Sequence, residues 1–227
     1  MARIVDRDLE ALRESALRMG SLAEAILAKS VRALVEGDVG LCKEVQEDDL
    51  EIDRLDVAID DIVLEVLATQ APVAADLRFV LGTKTMATDI ERVGDLARNI
   101  AKSAVRLAES PRVEVPPKLE QLAADSQRLL RVALNCYAET DPDLARRVLD
   151  EDDMIDASER RVIRDAIAEI TAHPEFSSQE IDLILIAKNL ERVADHATNI
   201  AEEVILIAEA LNLTHAEKLA ADGDADT

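Results

Sequence analysis

The sequence predicts an all-α protein of two tandem three-helix bundles, six long helices related by an internal repeat. Three observations carry that prediction. Apolar residues recur at three- and four-residue steps along most of the chain, with charges between them. Gly and Pro number only six each among 227 residues, which favours long, uninterrupted helices. And a segment near residue 90 returns a hundred residues later.

The first helix is marked by Leu9, Leu12, Ala16, Met19, Ala23, Ile26, Ser30 and Ala33, and Glu36-Gly-Asp-Val-Gly40 ends it. A second begins near Asp38 to Leu41 and runs through Val45, Ile52, Leu55, Ile59, Ile62 and Val66 until Pro72 breaks it. A third covers about Ala74 to Ala108. Ser110-Pro-Arg-Val-Glu-Val-Pro-Pro117 then reads as an extended linker, because each Pro removes a donor and biases its predecessor away from helix. The fourth helix covers about Lys118 to Glu139. Asp141 is placed to cap the fifth, about Asp143 to Ala172, with Pro142 at its first position. His173-Pro174 turns the chain, and Ser177 with Glu180 reads as a capping box for the sixth helix, ending near Leu211. The units are therefore a first bundle at 1–110, a linker at 111–117, a second bundle at 118–213 and an acidic, disordered tail at 214–227.

The repeat is explicit. Residues 88–101, TDIERVGDLARNIA, and 188–201, KNLERVADHATNIA, share 8 of 14 positions. At an offset of 103, Asp38, Val45, Asp49 and Asp53 match Asp141, Val148, Asp152 and Asp156. A repeat near a hundred residues long means two copies of one three-helix unit, not a short solenoid module.

Composition excludes several functions. With 26 Lys and Arg against 48 Asp and Glu, the formal net charge is −22, which opposes binding to nucleic acid or anionic lipid. Phe79, Tyr137 and Phe176 are the whole aromatic set, too few for base stacking or an aromatic cage. Cys42 and Cys136 have no CxxC spacing and read as small buried hydrophobes suited to a reducing cytosol. The amino terminus lacks the apolar run of a signal peptide, and no stretch approaches a membrane span. The expected location is cytoplasmic.

The chemistry lies in carboxylates. Pairs at i and i+4 share one helix face, and with 48 acids many arise by chance. Four pairs stand apart because they are repeat-equivalent: Asp49/Asp53, Glu91/Asp95, Asp152/Asp156 and Glu191/Asp195. In an antiparallel hairpin, residues equidistant from the turn lie at one level. Asp53 with Glu91, and Asp49 with Asp95, both centre on Pro72. Asp156 with Glu191, and Asp152 with Asp195, both centre between His173 and Pro174. Sequence spacing thus sets four carboxylates together twice, each cluster roughly 28 Å from its turn. Like charges so gathered invite a cation. The all-oxygen donor set suits hard ions such as iron, manganese or magnesium better than zinc. Asn99 and Asn199, one turn beyond Asp95 and Asp195, are placed to add ligands or orient the carboxylates, or else to face water. Arg92 and Arg192 point away from the acids, toward ion pairs with a neighbouring helix. His196, whose repeat partner is Leu96, reads as a half-buried polar residue and not as a ligand. No His follows a Glu at the spacing of di-iron oxidases, and no nucleophile triad or phosphate loop occurs.

ERVGDLARNIA and ERVADHATNIA, each preceded by a DxxxD helix, together with the APVAADLR turn at Ala71 to Arg78, resemble the PhoU family of regulators of bacterial phosphate uptake. The resemblance covers about residues 5 to 212. It implies two three-helix bundles, a metal cluster of one ion or several on each, and the eight carboxylates above as its ligands. It further implies a homodimer that damps phosphate transport and the phosphate-starvation response. Contact with the phosphate transporter's ATPase subunit and a sensor histidine kinase is the implied means. The expectation is a non-enzymatic, metal-binding regulator with no catalytic residues. The rivals are a carboxylate-bridged metal enzyme, hydrolase or oxidase, and a helical adaptor that binds no metal.

Overall fold

Long helices need defined ends, and short polar side chains and left-handed corners supply them here. The computed structural model describes residues 4–110 and 114–211. Its helices are α1 (Ile4–Glu36), α2 (Val39–Gln70), α3 (Ala75–Ala108), α4 (Pro117–Glu139), α5 (Pro142–Ala172) and α6 (Ser177–Glu209), and among the described residues there is no strand. Asp38 and Asp141, the repeat-equivalent residues, cap α2 and α5. The Asp38 carboxylate accepts from the Gly40 and Leu41 amides, that of Asp141 from the Asp143 and Leu144 amides. These bonds satisfy amides that the first turn leaves without partners, at about 1 kcal/mol each. Gly37 ends α1 at φ 66°, a conformation glycine takes without steric cost.

The start of α6 differs from the expected capping box. A 3-10 turn at Pro174–Phe176 leads directly into the helix, and the Ser177 hydroxyl donates back to the Pro174 carbonyl. No side chain caps α6, because the turn already supplies the entry geometry. Of the predicted linker, residues 111–113 lie outside the described residues, and the acidic stretch read at 214–227 lies outside them entirely.

Helices α1, α2 and α3 pack on one another, as do α4, α5 and α6. The halves then meet through two antiparallel seams. Along α3 and α6, Gly82 faces Ile207, Asp89 faces His196 and Asn199, and Arg106 faces Asp182. Along α1 and α4, Gly20 faces Leu134, Glu24 pairs with Arg131, and Arg13 donates to the Ala138 carbonyl. Among the described residues, the outer helices α2 and α5 touch only elements of their own half. The core is aliphatic, with Leu12, Met19, Ile52, Ile90, Ile100, Leu129 and Ile186 buried in it. Cys42 and Cys136 are buried hydrophobes, as expected, and desolvation pushes the Cys136 thiol up to about 12. Arg13 lies over both Phe79 and Tyr137, which stack with ring centres 6.3 Å apart. No helix is long and apolar enough to cross a membrane among the described residues.

Candidate functional site

The hairpin register inferred from the turns is visible in the ion pairs that join neighbouring helices. Lys84 of α3 reaches Asp56 at 3.0 Å and Asp60 at 2.6 Å on α2, and Lys188 of α6 reaches Glu159 of α5 at 3.2 Å. These pairs are nearly equidistant from their turns. Because α3 and α6 run antiparallel about a seam near Asp89 and Asn199, the two carboxylate clusters lie within about one helical turn of the same height.

In the second half, one oxygen from each of Asp156, Glu191 and Asp195 lies within 4.8 Å of the others. Two oxygens on one hard ion lie about 3 Å apart when adjacent and about 4.2 Å apart when opposite, so the triad would draw inward to hold one. Asp152 is not one of this triad, but it lies close enough to feel the Asp195 and Asp156 charges. Its Oδ1 is shut off from solvent and accepts no hydrogen bond. Burial, then the neighbouring Asp195 and Asp156 charges, pushes its carboxyl up to about 6. Glu191 rises to about 7, chiefly by desolvation and then by Asp195, and Asp195 is raised for the same first reason. Asp152, Glu191 and Asp195 are thus held where negative charge is costly, the condition a cation relieves. An orphaned buried oxygen and all-oxygen donors fit a hard metal.

The first half brings its acids together differently. Asp49 is 1% exposed, whereas Asp53 is exposed and Glu91 and Asp95 are half-buried. Arg98 sits between them, with Nη1 2.6 Å from Asp49 and Nη2 bonded to Asp95. Burial raises the Asp49 carboxyl, Arg98 opposes that rise, and Asp53 and Asp95 add to it. Among the described residues no second group of three acids closes as the Asp156 triad does.

The outlying candidates are placed as follows. Asn199 does not turn to Asp195; its amide donates to Asp89 Oδ1 at 3.0 Å, across the seam between the halves. Asn99 is exposed. Arg92 pairs at 3.4 Å with Glu91 and Asp95 of its own helix, not with a neighbouring one, because a three-residue step brings Asp95 under it. His196 is half-buried and shares Asp89 Oδ1 at 2.7 Å. Two residues that shape this region carry no such signal in the spacing, Arg98 and Asp89. The first could have been found by aligning the halves, where position 98 is Arg and position 198 is Thr. The second depends on how α3 meets α6, which no turn specifies.

The family model described as the PhoU domain matches twice, at residues 16–104 and 119–204. A Rhizobium meliloti protein, a phosphate-specific transport system accessory protein PhoU homolog, is 37% identical over 205 residues, 89% of this chain and 86% of that one. Its Pseudomonas aeruginosa counterpart is 33% identical over 211 residues, 92% of this chain and 86% of the relative. Among solved structures, the crystal structure of PhoU from Pseudomonas aeruginosa superposes with a TM-score of 0.87 at 32% identity, covering 91% of this chain and 99% of that one. PhoU from Streptococcus pneumoniae superposes at 0.85 with 26% identity, covering 92% and 99%. With the domain matched in both halves and relatives a third identical along nearly the whole length, the chain belongs to the PhoU family.

Proposed function

We propose that this protein is a non-enzymatic regulator of phosphate uptake and of the phosphate-starvation response. It works in the cytoplasm by contact with the phosphate transporter's ATPase subunit and a sensor histidine kinase. The observation that carries the reading is the match of the PhoU domain to both halves, alongside relatives named as accessory proteins of the phosphate-specific transport system. A hard metal ion at Asp152, Asp156, Glu191 and Asp195 is part of the proposal, supported by the orphaned Asp152 oxygen and the triad beside it. When bound, the ion supplies positive charge that those carboxylates otherwise lack. Holding it, the residues would tie one face of α5 to one face of α6. Self-association is also proposed: Leu50, Val57 and Leu64 stand exposed at seven-residue intervals on α2, a spacing suited to helix pairing.

Deletion of the gene in its host tests the regulatory reading. The expected result is raised phosphate uptake and expression of phosphate-starvation genes in phosphate-rich medium, both restored by the intact gene. Unchanged uptake and expression would refute it. Turnover of phosphoesters or peroxide by the purified, metal-loaded protein would favour an enzyme instead.

A further inference from the structure

The two carboxylate clusters occupy repeat-equivalent positions, yet two differences between the halves set them apart. Gly94 and Arg98 on α3 correspond to Ala194 and Thr198 on α6. A Cβ on Gly94 would stand 2.6 Å from Asp49 Oδ1, closer than real contacts allow. The missing methyl therefore lets the Asp49 carboxylate lie against the backbone of α3, where Arg98 Nη1 meets Asp49 Oδ2 at 2.6 Å. The same guanidinium bonds Asp95, so one fixed positive charge serves a carboxylate on each helix. In the second half the equivalent position is Ala194, a buried residue that carries the methyl Gly94 lacks. Thr198 brings no charge and turns its hydroxyl to the Asp195 carbonyl at 2.7 Å. Asp152, the counterpart of Asp49, keeps a buried oxygen with no hydrogen bond.

Resting on the reading of both clusters as cation sites, we infer that Arg98 is the resident cation of the first and that only the second requires a metal ion. A guanidinium stays protonated at any physiological pH, so one permanent positive charge is shared between Asp49 and Asp95. A dication entering there would have to displace it and would be repelled by it. The chain thus carries one metal-dependent site where its repeat implies two. The missing glycine methyl and the added arginine act together: one opens the approach for Asp49, the other fills it with charge.

Manganese(II) titration of the full-length protein, stripped with chelator and followed by the electron paramagnetic resonance of free ion, tests this. The intact protein is expected to bind manganese. Asp49→Asn with Asp95→Asn should leave that binding unchanged, and Asp156→Asn with Asp195→Asn should weaken it at least about tenfold. Arg98→Thr should add a second class of sites, lost again when Asp49→Asn and Asp95→Asn are combined with it. The two paired Asp→Asn variants, which only remove charge, decide the matter should Arg98→Thr not fold. Loss of manganese on changing the first-half pair would overturn the inference while leaving the cation-site reading intact. So would an Arg98→Thr protein that folds and gains no site. An intact protein that binds no manganese would overturn both.

Discussion

Asp89 on α3 and His196 on α6 join the two halves through one carboxylate oxygen, Oδ1 to Nδ1 at 2.7 Å, and Asn199 donates to that same oxygen at 3.0 Å. A single acceptor thus satisfies two side chains of the other half. Asp89→Ala would leave both without it, at a cost of about 2 kcal/mol, and Asp89→Asn, which retains an acceptor, should lose less. Urea unfolding of the two variants beside the intact protein checks the order. Equal midpoints for all three would show that the seam does not depend on Asp89.

Glu203 lies in the same groove, against Gly82 and Ile207, with Asp89, Glu202, Lys84 and Asn199 around it. Burial, then the Asp89 and Glu202 charges, pushes its carboxyl from 4.5 to about 7. The folded protein therefore holds a proton that the unfolded chain releases in that window, so this group's contribution to stability falls as pH rises through it. The melting temperature should decline from about pH 5 to about pH 8, and Glu203→Gln should flatten the decline. An identical slope in the variant would assign the effect elsewhere.

Chelation should lower the melting temperature, because removing a cation leaves Asp156, Glu191 and Asp195 facing one another. Two like charges 4 Å apart repel by about 4 kcal/mol at an effective dielectric near 20, before relaxation. In the stripped protein Asp156→Asn is expected to recover part of the loss. With manganese present the same change should weaken binding, since an amide oxygen is a poorer ligand than a carboxylate. Equal melting with and without chelator, and no bound metal, would make these acids ordinary surface.

Val57 is 61% exposed at the centre of the apolar row on α2. Val57→Asp should shift the protein from dimer to monomer in analytical ultracentrifugation without changing its helical circular dichroism. A strict monomer before the substitution would refute self-association.

The hairpins were legible in the sequence because a turn and a helical rise determine which residues share a level. Lys84 against Asp56 and Asp60, and Lys188 against Glu159, obey that rule. The seam between halves obeys no such local rule. Asp89 found His196 and Asn199 through the packing of α3 on α6, and Asn199 was thereby drawn away from the carboxylates where its spacing had put it. Arg98 was hidden for another reason. Its charge lies one turn beyond Asp95, and only the long side chain folding back between two helices brings it among the acids. The capping box at Ser177 failed because Pro174 imposed a 3-10 entry that made a side-chain cap unnecessary.

The scarcity of aromatic rings gives the molecule a built-in optical probe. Tyr137 is the chain's single tyrosine, no tryptophan competes with it, and it is buried at the junction of α1, α3 and α4. Its hydroxyl bonds Thr83 of the other half and its ring lies under Arg13, also of the other half. Its emission and near-ultraviolet dichroism therefore report whether the two halves are docked, while the far-ultraviolet signal reports the helices themselves. Separation of the halves and melting of the helices can be followed independently in the unlabelled protein.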